Sequence, residues 1–295
     1  MRRAIIGGLA CGLALLGFGG QAQGADTIGS DLSGAADTSF SCWEPTTCTN
    51  LDLSVQSDSL APYDGVLVRW RVKSGGAGNS PITLQVVSWP DSTISAVAGS
   101  RPEQVADGIN TFPARLPIAR GQYIAVECCE APGERIFSSG LLGQAFGSQS
   151  PALVVGAPPI GAGALLMTNE LLLNADIEPD ADRDGYGDET QDACPSNAIT
   201  QAACPPRPET SITSSPKKTV KTKGRKARVT FAFASSEVNA TFRCAMDGSA
   251  ATTCSSPFRT KVRRGKHRFE VVADAAGFTD ETPAVFNFRV KRKRR

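Results

Sequence analysis

Apolar and polar residues alternate one for one along much of this chain, and that period confines it to β-structure. Val66, Val68, Trp70 and Val72, then Ile82, Leu84 and Val86, then Ile124, Val126 and Cys128 each place every second side chain on one face. A strand repeats every two residues and a helix about every 3.6, so only strands turn these sets into half-buried faces. Further strands are expected at 51–55, 110–118, 135–137, 152–155 and 165–174, with Gly, Pro, Asn and Asp at the breaks. Helical periodicity is almost absent, so the expected class is all-β.

The alternation falls into two blocks. Residues 25–177 are enough for one core, and the expected form is a jelly-roll-like two-sheet β-sandwich. Residues 208–291 carry four inward rows: Val229, Phe231 and Phe233; Phe242, Cys244 and Met246; Phe269, Val271 and Ala273; Phe286, Phe288 and Val290. Rows of this density fit an immunoglobulin-like β-sandwich. Residues 292–295 form a basic tail, and 178–207 is an acidic, Pro-bearing linker with its own chemistry.

Met1, Arg2 and Arg3 followed by the mostly apolar run 4–20 and small residues at Ala22 and Gly24 read as a secretory signal peptide over 1–24. Cleavage is expected before Ala25, with cleavage after Ala22 as the alternative. Cys11 stands in a faint lipoprotein context, but Gly8 occupies a position where such sites usually carry Leu. No later run has the roughly 18 apolar residues of a membrane helix. The product is therefore expected outside the cytoplasm, secreted or at the cell surface.

Eight cysteines follow the signal: Cys42, Cys48, Cys128, Cys129, Cys194, Cys204, Cys244 and Cys254. An even number in an exported chain points to disulfides. Proximity suggests Cys42 with Cys48, Cys194 with Cys204, and Cys244 with Cys254. Cys128 and Cys129 pair with each other only in a strained ring, or else reach Cys42 and Cys48; the sequence leaves both arrangements open.

Charge divides the chain as sharply as the alternation does. Residues 25–206 hold 22 acidic and 8 basic side chains, a net of −14, whereas 207–295 hold 7 acidic and 21 basic, a net of +14. Opposed halves point to modules with different partners.

The densest chemistry lies at Asp180-Ala-Asp182-Arg-Asp184-Gly185-Tyr186-Gly187-Asp188. Carboxylates two residues apart, followed by a turn-permitting glycine, gather hard oxygens about one point, as Ca²⁺ requires. Asp180, Asp182 and Asp184 would ligate by side chain, Tyr186 by its backbone carbonyl, and Asp188 by side chain or through water. An EF-hand would place its bidentate Glu where Gln191 stands, so this is not a standard EF-hand. With Asp192, Cys194 and Pro195 added, the stretch 180–195 resembles a thrombospondin type 3 repeat. The spacing from Gly185 to Cys194 is one residue longer than in the usual animal repeat, which leaves Asp192 without an assigned role. Such repeats usually occur in series and share ions, whereas this chain has one.

Residues 208–291 resemble the immunoglobulin-like modules that occur in tandem on bacterial surface and secreted proteins of high-GC bacteria. The resemblance rests on Phe242-Arg-Cys244-Ala-Met-Asp247-Gly248, Cys254-Ser-Ser-Pro257-Phe258 and Gly265-Lys-His267-Arg-Phe269. It implies a hairpin closed by Cys244 and Cys254 and a spacing or adhesive role. This copy departs from the usual neutral composition through basic clusters at 217–228, 263–268 and 291–295. Their alternatives are a solvated surface or contact with an anionic polymer such as a wall glycopolymer, lipid headgroups or extracellular DNA. No aromatic residue is interleaved, so sequence-specific nucleic-acid binding is not expected.

No enzymatic activity is expected. His267, the only histidine, has no nucleophile near it in sequence, and the nucleophile elbow, zincin helix and phosphate loop are missing. Glu127, Glu130 and Glu134 read as an exposed loop rather than a glycosidase pair. The expected function is a calcium-binding adhesive or structural protein whose ion stiffens the hinge between two sandwiches. The alternative is glycan binding by the first sandwich, with Trp43 or Trp89 stacking on a sugar ring. Asn239-Ala-Thr241 is a glycosylation triplet to which no function is attached.

Overall fold

The computed structural model describes residues 25–42, 47–53, 59–76, 78, 80–129, 134–139, 145–163 and 165–293. Among these the chain is all-β, and no helix is long and apolar enough to cross a membrane. The signal segment, Cys11, Trp43, Glu130 and the last two arginines lie outside the described residues.

The first module contains β1 (Asp26–Gly29), β2 (Thr38–Phe40), β3 (Cys48–Asp52), β4 (Gly65–Ser74), β5 (Thr83–Ser88), β6 (Thr93–Gly99) and β7 (Gly108–Ile118). It continues with β8 (Tyr123–Cys128), β9 (Glu134–Ser138), β10 (Phe146–Gln149), β11 (Ile160–Gly161), β12 (Leu165–Met167), β13 (Glu170–Leu171) and β14 (Leu173–Glu178). One sheet has the order β1-β14-β4-β7, a second runs β11-β6-β5-β8-β3-β10-β12, and a third is the three-stranded β13-β9-β2. Among β1, β3–β8 and β14, the first sheet is therefore first-eighth-third-sixth, and the centre of the second is second-seventh-fourth-fifth. With every pairing antiparallel, this is the strand order of a jelly roll. Trp70, Leu84, Ile124, Phe137, Phe146 and Leu173 are fully buried in the core between the sheets.

Three details depart from the expected strands. The pairing of β4 with β7 shifts between Leu67 and Arg69, so Leu67 joins Trp70 and Val72 in the core while Val66 and Val68 do not. A β-bulge moves the face of every residue before it, which simple alternation does not reveal. Residues 152–155 are not a strand: the Leu153 N–H donates to Thr49 Oγ1, Val154 is 70% exposed, and the place beside β3 belongs to β10. The expected strand at 165–174 is broken into β12, β13 and the start of β14, which join three different sheets.

The second module contains β15 (Thr210–Ser214), β16 (Thr219–Thr222), β17 (Lys226–Ser235), β18 (Thr241–Met246) and β19 (Thr252–Cys254), then β20 (Phe258–Arg263), β21 (Gly265–Ala275), β22 (Phe278–Thr279) and β23 (Ala284–Arg292). A three-stranded sheet β15-β17-β20 faces the path β16-β23-β21-β18-β19, with β22 attached to β21 and β16 parallel to β23. This is an immunoglobulin-like sandwich. The four inward rows meet in one phenylalanine-rich core, where Phe231 stacks on Phe269 with centroids 4.0 Å apart and meets Phe288 edge-on at 5.7 Å. Burying one such ring stabilises the fold by about 1.5–3 kcal/mol.

Residues 179–207 form no regular element, yet they are anchored on both modules. Gln191 donates to the Ala114 carbonyl at 2.8 Å, and the Arg115 guanidinium lies 4.3 Å over the Tyr186 ring. Gly187 packs so closely on Val68 that a Cβ there would meet Val68 Cγ1 at 2.6 Å, so this valine has an apolar neighbour although it lies outside the main core. Towards the second module, Arg207 sits 4.6 Å over the Phe278 ring and pairs with Glu281 at 2.7 Å.

Candidate metal centre

The acidic loop folds back on itself because its own carboxylates take its backbone amides. Asp184 N–H donates to Asp180 Oδ1 at 3.1 Å and to Asp182 Oδ1 at 3.3 Å. Gly185 N–H reaches Asp180 Oδ2 at 3.0 Å, and Tyr186 N–H reaches Asp184 Oδ1 at 2.9 Å. The turn needs left-handed backbone at Arg183 (φ 62°) and Gly185 (φ 86°). Glycine adopts that conformation at no steric cost. Glu178, at the end of β14, holds the next turn through the amides of Glu189 (3.1 Å) and Thr190 (3.0 Å).

Asp180, Asp182 and Asp184 each offer an oxygen, and the three atoms lie within 4.8 Å of one another. Asp188 lies close enough to act electrostatically on the cluster, but both its oxygens accept from Ala181 N–H, at 3.2 and 3.1 Å. Burial pushes the Asp182 carboxyl up from its ordinary range, and the charges of Asp184 and Asp192 add to that push. Burial likewise raises Asp188, with Asp180, Asp182 and Asp192 contributing. The carboxylates therefore crowd into one patch with like charge.

Two carboxylate oxygens of this segment are left unsatisfied. Asp182 Oδ2 and Asp192 Oδ2 are both shut off from solvent and have no hydrogen-bond partner. A buried carboxylate oxygen without a donor is costly, and a bound cation is one remedy. The donor set is oxygen alone, which suits a hard ion such as Ca²⁺ rather than a soft one. Asp180, Asp182 and Asp184 would hold it, and Asp192 adds a charge that the spacing of the repeat left unassigned. Asp192 is 4% exposed, fixed by the Cys194 N–H at 2.7 Å. The sequence signal was its place two residues before Cys194. Gln201 was missed: it donates to Asp184 Oδ2 at 2.7 Å from within the loop that the Cys194–Cys204 disulfide closes.

The sulfur atoms pair as Cys42–Cys48, Cys128–Cys129, Cys194–Cys204 and Cys244–Cys254. The adjacent Cys128 and Cys129 thus bond to each other, inside the first core. A chain with these bridges belongs to an oxidising environment.

The remaining sequence candidates have structural partners. His267 Nδ1 lies 2.7 Å from Asp247 Oδ2, and its Nε2 lies 2.7 Å from the Arg263 carbonyl. Glu127 accepts from Thr47 at 3.0 Å and Gln85 at 3.2 Å, and Glu134 accepts from Ser80 N–H at 3.0 Å. Trp89 is half-buried, 6.2 Å from the Tyr123 ring.

No family model matches the chain, and no curated protein matches it. Among solved structures it is similar to the fibronectin(III)-like modules of CbhA from Clostridium thermocellum, at 10% identity and a TM-score of 0.25, over 75% of this chain and 88% of that one. It is also similar to an FMN-binding β-glucuronidase from Facaelibacterium prausnitzii L2-6, at 9% identity and a TM-score of 0.19, over 86% of this chain and 34% of that one. Likeness at these scores carries no functional argument.

Proposed function

We propose that this chain is a secreted, calcium-binding modular protein with an adhesive or structural role, in which the ion stiffens the connection between a jelly roll and an immunoglobulin-like sandwich. The observation that carries the reading is the Asp180–Asp182–Asp184 cluster, in which Asp182 keeps a buried, partnerless oxygen, with a second such oxygen on Asp192, whose charge acts on Asp182. The place of that cluster supports a mechanical role: the segment that holds it touches the first module through Gln191 and Tyr186 and the second through Asn197. Extracellular calcium modules bind at about 10⁻⁴ to 10⁻³ M, which suits a permanently loaded structural ion rather than a signal. The resemblance of 180–195 to a thrombospondin type 3 repeat, and the disulfides on either side, agree with an extracellular setting.

Calorimetry and small-angle scattering of the full oxidised protein test this. Calcium heat at millimolar ion, with a smaller radius of gyration in calcium than in chelator, is the expected result. No heat at millimolar calcium and identical scattering curves would reject it.

A further inference from the structure

The second module stacks cations directly against cations. Across β17 and β20, Lys226 faces Arg263 and Arg228 faces Lys261. On the opposite sheet Lys266 faces Arg289 across β21 and β23, and Lys221 lies beside Lys291 across β16 and β23. Like charges directly opposite on one sheet face destabilise it. None of these eight side chains makes an ion pair or side-chain hydrogen bond among the described residues, whereas Arg268 pairs with Glu270 and Arg243 with Asp274 nearby. The fold neutralises some of its cations and leaves these four pairs open.

Their arrangement is continuous. Along a strand the rows repeat about every 6.8 Å, and partners across a pair stand about 5 Å apart, giving a two-wide ladder. The 222–226 turn joins the two faces, and Arg264 pins it by donating to the carbonyls of Lys223 (3.2 Å) and Gly224 (2.9 Å). On the second face a groove of about 540 Å³ is lined by Lys218, Lys266, Arg268 and Arg289 together with His267, Asn287 and Phe288, with Asp247 already engaged by His267 and the Arg268 amide.

We infer that this band, which crosses both outer faces of the second sandwich and the turn between them, is a binding surface for a flexible, linear acidic polysaccharide. The occupant follows from shape and composition. A membrane is planar and touches one face at a time, while the open pairs occupy both. Duplex DNA, with a persistence length of about 50 nm, is too stiff to follow the turn. Single-stranded nucleic acid would be held by stacking; the outward positions of β17, β20, β21 and β23 carry no aromatic ring, and the two rings at the groove, the largely buried His267 and the buried Phe288, offer no open face. A sugar polymer bearing sulfate, phosphate or carboxylate needs only charge and a path. The inference gives the adhesive role above a ligand class and does not depend on the calcium loop.

The test is a titration of the full oxidised protein with fluorescent dextran sulfate, in chelator, so that the metal centre plays no part. Binding to dextran sulfate and none to neutral dextran is expected. With about five of the eight open cations engaged at once and about 0.7 counterion released per contact, affinity should fall about 50-fold between 0.1 and 0.3 M salt. The double variant Arg228→Ser/Lys261→Thr loses two contacts, and the same relation gives about 25-fold weaker binding at 0.1 M salt. It should keep or raise Tm, because a repulsive pair is gone, which separates lost contact from lost fold. Lys266→Thr/Arg289→Thr on the other face should weaken binding too. Unchanged affinity in Arg228→Ser/Lys261→Thr overturns the inference. So does tighter binding to anionic vesicles, duplex DNA or oligothymidylate than to dextran sulfate, or salt-sensitive self-association that accounts for the charge by pairing the basic module with the acidic half of a second copy.

Discussion

Asn197 donates its side-chain amide to the backbone carbonyl of Ala276 at 2.9 Å, tying the acidic segment to the β21–β22 turn of the second sandwich. The turn is shaped for this contact: Ala276 and Gly277 both have positive φ, and a Cβ on Gly277 would collide with the Asn197 amide group. A calcium loop that touched only one module would have no lever on the other. Here the cluster, the Cys194–Cys204 bridge and Asn197 form one short path between them.

Gly277→Ala should therefore loosen the connection without unfolding either sandwich. Non-glycine residues pay about 1–2 kcal/mol in left-handed backbone, and the added methyl displaces Asn197. Asn197→Ala should give the same phenotype without backbone strain. Both variants should show a larger radius of gyration in calcium by small-angle scattering and retain wild-type calcium affinity. If both scatter as the wild type does, the contact is not what orients the modules.

Asp182→Asn separates the cost of clustered charge from its use. In chelator, removing one of several crowded carboxylates should leave Tm unchanged or raise it. In 10 mM calcium the wild type should gain about 2.7 kcal/mol if its Kd is near 10⁻⁴ M, and the variant should gain little. Asp192→Asn should behave alike. Differential scanning calorimetry with and without calcium checks both halves; a calcium shift undiminished in both variants would remove these residues from the site.

How much of this was readable beforehand depended on the range of the interaction. The loop was legible because Asp180, Asp182 and Asp184 organise amides only two to five residues away. The all-β class was legible because alternation is local too. Gln201 was not, since it reaches Asp184 across 17 positions, from inside the loop that the Cys194–Cys204 bridge closes. The face of Val66 and Val68 was misassigned because a bulge in the β4–β7 pairing changes parity, and nothing in residues 66–72 alone announces it. The open cation pairs were hidden for the same reason: Arg228 and Lys261 are 33 positions apart, and only strand register puts them opposite one another. The jelly-roll order was beyond reach because β1 pairs with β14, from the far end of the module.

Acid stability offers a separate check on the first module. Burial works against the charge of Asp176, but hydrogen bonds from Arg71 (2.9 and 2.8 Å) and Arg69 (2.7 Å) outweigh it and hold the carboxyl below its ordinary value of 3.8. A depressed carboxyl contributes stability that is fully present above the unfolded pKa and is lost as pH falls through the folded one. Asp176→Asn should thus cost about 2 kcal/mol at pH 7, the range for hydrogen bonds to a charged group, discounted because Arg69 is half-exposed. Below pH 4 the difference between variant and wild type should shrink. Urea denaturation at pH 7 and pH 3 measures this, and a gap that stays constant with pH would contradict the assignment.

The Cys244–Cys254 bridge closes the β18–β19 hairpin across a sequence separation of 10. Closing a loop of that length restricts the unfolded chain by about 2.8 kcal/mol in the chain-entropy relation. Replacing both residues with alanine should lower the stability of the second module by roughly that amount, plus a small term because Cys244 is 4% exposed and packs in its core. The first module, whose bridges lie elsewhere, should melt unchanged. Two resolved calorimetric transitions, of which only one moves in the double variant, are expected. A shift of both by the same amount would mean that the two sandwiches unfold as one unit, and that the segment carrying Asn197 couples them more tightly than a hinge.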